Sequence, residues 1–262
     1  MATVRPPAVA GTFYPADAAV LDATVRSLLS DARAEGPRPL ALIAPHAGYV
    51  YSGPVAASAY ALLEPWAGEI RRVLLLGPCH RVPVRGLAAT SAEGFRTPLG
   101  LVPVDREGTD TVLGLPQVEV FDAAHRDEHA LEVHLPFLQD VLEDFSVIPL
   151  VVGDASDEEV AEVIRAVWDP PRTLVVVSSD LSHFYDYETA RSLDGKTSRA
   201  IENLDPTGLG PESACGRIPA RGLLLEAKRR GLRVTTVDLR NSGDTAGPRN
   251  QVVGYGAYVF HE

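Results

Sequence analysis

Four apolar, β-like runs each empty into a short polar turn that carries a residue able to bind a metal or move a proton. Leu40–Ala44 leads into Pro45-His46-Ala47-Gly48-Tyr49, and Val73–Leu76 into Gly77-Pro78-Cys79-His80. Leu174–Val177 leads into Ser178-Ser179-Asp180-Leu181-Ser182-His183, and Val234–Leu239 into Asn241-Ser242-Gly243-Asp244. In open α/β sheets, ligands bind just outside the carboxyl ends of the strands, where such turns gather. Two imidazoles and one carboxylate form a facial set that suits iron(II) and leaves coordination positions open. The pattern points to a metal-centred site.

The runs between these turns alternate in type. Asp17–Ala32 and Asp157–Trp168 have helical periodicity, as do residues 186–203 and Pro219–Arg230. Ser52 can cap a helix reaching about Leu63 with Pro54 in its first turn, and Asp105 can cap one to about Leu113. Asp127–Leu142 reads as a helix kinked at Pro136. Further strands are expected at Val118–Phe121, Phe145–Val152, Leu232–Leu239 and Gly254–Phe260, with two short ones within 86–104 around Arg96-Thr97-Pro98-Leu99-Gly100. Strands alternating with helices predict an α/β fold with a central, mainly parallel sheet covered on both faces. The paired elements near 86–104 make that sheet mixed. Pro and Gly are not massed into a linker and no repeat is evident, so residues 1–262 are expected to form one domain.

The formal charge is 24 − 35 = −11. An acidic chain does not suit a broad nucleic-acid face, which needs Lys and Arg to neutralise phosphates. The two cysteines, Cys79 and Cys215, suggest no disulfide framework. There is neither a signal-like N-terminus nor an apolar run long enough to span a bilayer. The expectation is a cytoplasmic protein with no membrane and no nucleic-acid partner.

Among the chemistry-bearing residues, His46 projects from a turn fixed by Pro and Gly. His80 ends a similar turn. Cys79 beside it could be a soft ligand or a small buried hydrophobe. Neighbours in an extended segment point opposite ways, so Cys79 and His80 should not both face one metal. Asp180 and His183 would share a face if their segment turned helically, and a carboxylate beside an imidazole supports proton transfer. Asp244 gains interest only with His46 and His80, as the third member of a facial set. His129 and Glu132, at i and i+3, could line a pocket, whereas His125 and His134 are expected at the surface. The segment is not an H-E-x-x-H zinc signature. Gly195-Lys196-Thr197 lacks the leading glycine and strand of a phosphate loop, no G-x-S-x-G surrounds a serine, and no G-x-G-x-x-G follows the first strand.

Eight ordered segments together resemble the Memo family, known in prokaryotes as AmmeMemoRadiSam system protein B. They are Arg5–Pro15, Ala44–Gly53, Gly77–His80 with Thr97–Gly100, Glu128–Phe137, Ser178–His183, Asn241–Asp244 and Val253–Gly256. That family is similar in fold to the class III extradiol ring-cleavage dioxygenases, which hold non-haem iron(II) on two His and one acidic residue and use a further His as acid/base. The resemblance implies metal positions at His46, His80 and Asp244. It implies an acid/base role for His183, with Asp180 and His129 beside it, and a substrate pocket shaped by Tyr49, Tyr51, Glu132 and Cys79. Iron(II) is the expected cofactor, with copper or zinc as alternatives; some members carry Cys at the third position, which would favour copper(I). The implied activity is that of an iron-dependent, dioxygenase-like oxidoreductase acting on a small-molecule or peptide ligand. Its alternative is a non-catalytic binding module that reuses the metal cleft. Radical-SAM and AMMECR-type proteins are the pathway partners the resemblance implies.

Overall fold

The computed structural model describes residues 3–32 and 35–262. Its strands are β1 (Val4–Arg5), β2 (Ala41–Ala44), β3 (Arg72–Pro78), β4 (Leu87–Ala89), β5 (Gly94–Thr97), β6 (Gly100–Pro103), β7 (Val118–Val120), β8 (Ser146–Val152), β9 (Thr173–Ser178), β10 (His183–Tyr185), β11 (Arg233–Asn241) and β12 (Val252–His261). The helices are α1 (Ala18–Asp31), α2 (Tyr49–Tyr60), α3 (Arg106–Leu113), α4 (Asp122–Arg126), α5 (Leu135–Val141), α6 (Asp157–Val167), α7 (Tyr187–Glu202) and α8 (Arg217–Arg229).

A nine-stranded sheet runs β10-β12-β2-β9-β3-β8-β4-β7, with β11 also paired to β12. Its centre, β2-β9-β3-β8, is parallel. Antiparallel pairing flanks that centre, β12 on β2 and β4 on β8. A separate small sheet joins β1, β5 and β6. The central strands are buried along nearly their whole length, as expected where both faces are covered. Side chains alternate between the faces. Leu42, Leu75, Val151 and Val176 pack with Leu21, Val25, Val55 and Phe137 from α1, α2 and α5. Ile43, Leu74, Leu150 and Val177 pack with Val160, Ile164, Leu223 and Leu224 from α6 and α8.

Two expected helices differ from the structure. The second begins at Tyr49, with Gly48 as its N-cap, and Ser52 lies inside it with Oγ donating to Ala47 O at 2.9 Å. The early start is held by the Tyr49 amide, which donates to Phe13 O at 2.8 Å and so satisfies a first-turn donor. Residues 127–142 are not one kinked helix: α4 ends at Arg126, and a short 3₁₀ turn (Glu132–His134) precedes α5. The break is local chemistry. Glu128 Oε1 accepts from the amides of His129 and Ala130, both at 2.9 Å, which gives the backbone a partner other than a helix carbonyl. His125 and His134, expected at the surface, are both buried. Among the described residues no helix is long and apolar enough to cross a membrane.

Candidate metal centre

The carboxyl ends of the three parallel strands β2, β3 and β9 deliver His46, His80 and Asp180 to one place. Gly77 permits the close approach: a Cβ there would sit 2.8 Å from Leu131 Cδ2 and 3.3 Å from Ser178 Cβ. The imidazole centroids of His46 and His80 are 5.1 Å apart, and His129 lies 5.4 Å from His46 and 4.7 Å from His80. Cys215, in the turn just before α8, completes a group with His46 and His80 whose ligand-capable atoms all lie within 4.8 Å of one another. Its Sγ is 3.3 Å from His46 Nε2. A second group, His80, Glu128 and His129, shares His80 with the first.

Each inner imidazole has one nitrogen committed. His46 Nδ1 lies 2.6 Å from Ser178 Oγ, and His80 Nδ1 lies 2.9 Å from Glu128 Oε1. A ligand imidazole usually donates its far N–H to a carboxylate or another oxygen in this way, which leaves the other nitrogen's lone pair for a cation. Glu128 also accepts from the His80 amide at 2.7 Å. Burial alone would raise the Glu128 carboxyl, but the imidazoles of His129 and His80, 3.3 and 2.9 Å from its Oε1, and its backbone hydrogen bonds hold it well below the usual carboxylate range. His46 is pushed well below the ordinary histidine value, first by burial and then by the nearby His80 and His129. Asp180 is raised by burial, against the pull of the His46 amide that donates to its Oδ1 at 2.8 Å. Burial, then the charge of Asp180, pushes the Cys215 thiol up. A bound cation would reverse that, since coordination deprotonates a thiol.

The other expected site residues are distributed as follows. His183 stands half-buried on β10, close enough for its charge to act on Asp180 and His46. It is not on a helical face with Asp180, because the chain runs from β9 through an open loop into β10. His129 is part of the imidazole group but not, with Glu132, of a helical pocket wall, since residues 127–131 are irregular.

Asp244 belongs to neither group among the described residues. It closes a capping box at the end of β11, accepting from the Asn241 amide at 3.1 Å and from the Tyr187 hydroxyl at 2.5 Å. Its carboxylate is thus committed to its own turn and to α7. Glu132 has no exposed surface and anchors the N-terminal arm: it pairs with Arg5 and accepts from the Ala8 and Val9 amides at 2.7 and 3.0 Å and from the Tyr14 hydroxyl at 2.5 Å. Tyr49 is likewise a core residue, its ring against Phe137 and its hydroxyl donating to Val133 O at 2.7 Å. Cys79 turns to Val82 O, while Tyr51, in the first turn of α2, stays 40% exposed. Cys215 and Glu128 also belong to this site, and no pattern of strand and polar turn singles them out; Ser178 opens one of the four polar turns, but a neutral hydroxyl is not a residue type that pattern selects.

A doubly covered α/β sheet with imidazoles and a buried carboxylate at its strand ends, and a thiol beside them from the turn before α8, defines a protein with a group of side chains close enough together to hold a metal ion. The chain belongs to the Memo family: the family's Memo-like protein profile matches residues 5–259. It is 36% identical over 268 residues to a MEMO1 family protein of Aquifex aeolicus (strain VF5), covering 98% of this chain and 99% of that one. It is 34% identical over 269 residues to a MEMO1 family protein of Methanosarcina mazei, covering 98% of each. In solved structures the fold is similar to that of uncharacterized protein JW3007 from Escherichia coli K12, with a TM-score of 0.53 at 12% identity over 85% of this chain and all of that one.

Proposed function

We propose that this protein binds one metal ion on His46 Nε2, His80 Nε2 and Cys215 Sγ and works as a metal-dependent oxidoreductase. The observation that carries the reading is the commitment of both Nδ1 atoms, to Ser178 and Glu128, with the thiol 3.3 Å from His46 Nε2. A thiolate in place of the expected Asp244 softens the donor set and shifts the preferred ion from iron(II) toward copper(I) or zinc, of which only copper would support redox chemistry. A redox-active ion would supply one-electron or oxygen chemistry to a bound ligand. The residues' own contribution is to position and to move protons. Asp180 and His183 stand beside the two imidazoles and are the groups to accept or return a proton. Glu128 orients His80 and His129.

The test is metal titration of the chelator-stripped protein with copper(I), zinc(II) and iron(II), followed by elemental analysis. Wild type should take up one equivalent, with copper(I) or zinc(II) bound more tightly than iron(II). Cys215→Ala and His46→Ala should each lose it, and Asp244→Ala should bind as wild type does. Uptake that needs Asp244 and ignores Cys215 would overturn the assignment.

A further inference from the structure

A chain of hydrogen bonds leads away from the cluster into the core: Tyr60 Oη to His134 Nδ1 at 2.9 Å, His134 Nε2 to Ser178 Oγ at 2.8 Å, and Ser178 Oγ to His46 Nδ1 at 2.6 Å. A branch runs from Ser178 Oγ to Ala130 O at 2.6 Å. All four side chains are at most 2% exposed. We infer that Tyr60, His134 and Ser178 are positioning residues that fix His46 in its Nδ1–H tautomer and so aim its Nε2 lone pair at the cluster.

The protons can be counted. A carbonyl oxygen only accepts, so the single Ser178 hydroxyl proton goes to Ala130 O. Ser178 Oγ then has two lone pairs and must accept from both rings. His46 therefore carries its proton on Nδ1, and His134 carries its own on Nε2. Counting from the other end gives the same answer. The buried Tyr60 hydroxyl has His134 Nδ1 as its partner and donates to it, which leaves the His134 proton on Nε2. Each of the four donors in the chain is used once, the condition under which a buried network is rigid. The Nε2 left bare on His46 is the atom 3.3 Å from Cys215 Sγ. Glu128 does for His80 in one step what this chain does for His46 in three. The value of the tautomer to a metal rests on the reading proposed above; the tautomer itself does not.

The experiment is long-range proton–nitrogen correlation NMR on metal-free protein labelled with nitrogen-15 histidine, with a zinc(II) titration in parallel. In wild type, His46 should be a single Nδ1–H form and His134 a single Nε2–H form. Ser178→Ala should release His46 into a tautomer mixture and weaken zinc(II) binding about 10- to 100-fold. His134→Gln, whose amide can donate to Ser178 and accept from Tyr60, should keep the His46 tautomer. Tyr60→Phe should loosen the His134 tautomer first. Wild-type His46 protonated on Nε2, or an unchanged His46 tautomer in Ser178→Ala, would overturn the inference. Tautomers as expected with no zinc(II) uptake would instead count against the metal reading alone. Should Ser178→Ala fail to fold, the wild-type spectrum and Tyr60→Phe still decide.

Discussion

Arg5 and Glu132 meet where almost no solvent reaches, and each is held by more than the other. Arg5 Nε donates to His125 O at 2.8 Å and its Nη2 to Glu128 O at 2.6 Å, so one guanidinium ties the N-terminal arm to the end of α4 and to the irregular stretch that follows it. Breaking one side of a buried pair leaves an uncompensated charge and costs about 3–5 kcal/mol. Arg5→Ala should therefore lose stability on that order in urea unfolding, and Glu132→Gln should destabilise as well, while metal stoichiometry by elemental analysis stays at the wild-type value. Loss of metal with intact stability would return Glu132 to the pocket. Single residues are legible where their backbone context is. His46, His80 and Asp180 follow apolar strands directly, and that adjacency places them. Cys215 enters from a turn before a helix with no strand in front of it, so a rule built on strand ends passes it by. Asp244 satisfies the rule and still joins neither ligand group among the described residues; a carboxylate three residues past Asn241 takes that residue's amide as a partner.

Elements are positioned by what their ends can tolerate, and the start of α8 is a tight case beside the site. A Cβ on Gly216 would lie 2.4 Å from Ser178 O and 2.6 Å from Ser179 Cβ, so helix and strand β9 touch backbone to backbone at the residue after Cys215. Gly216→Ala has to push α8 away from β9. Overpacking of this kind costs roughly 1–3 kcal/mol, and the displacement should open the gap between Cys215 Sγ and His46. The expected result is a folded protein by circular dichroism, with a lowered melting temperature and weakened zinc(II) binding by calorimetry. Wild-type affinity would show that the thiol does not depend on this contact. The regular elements themselves are readable, since their capping chemistry is local. Asp105 accepts from a first-turn amide as its sequence position implies, and Asp17 and Ser156 cap their helices in the same way. The 127–142 segment is not, because its apolar spacing is helical while Glu128 competes for its amides. His80, brought from β3, shares the same carboxylate.

The molecule as a whole folds around uncharged imidazoles, and that makes its stability depend on pH in a predictable sense. His125 Nε2 donates to Ala88 O at 2.9 Å, inside the core beside Phe95. Burial, with the charge of Arg5 adding to it, lowers its pKa from 6.5 to about 4. His134, buried against Tyr60 and Ser178, is lowered to about 3. In the unfolded chain both rings titrate near their ordinary value. Between pH 6.5 and 4 the unfolded state thus binds protons that the native state does not, and stability rises with pH. The contribution is fully present above pH 6.5 and is lost as the pH falls through that window. For His125 a fall to about 4 corresponds to roughly 3 kcal/mol, since each tenfold loss of proton affinity is worth about 1.4 kcal/mol. Asp180 and Asp194, whose carboxyls burial raises, act in the opposite sense at the acid end of the same window. The difference between wild type and a variant therefore isolates the histidine better than either curve alone. His125→Gln keeps a donor for Ala88 O but has nothing to protonate. Urea unfolding of both proteins at about pH 7.5 and about pH 4.5 should show a smaller acid loss for the variant, by about 2 kcal/mol or more. Equal losses would mean that His125 is protonated in the folded protein at the acid pH, and the core would then have to supply a partner for its second N–H, which is unpartnered here.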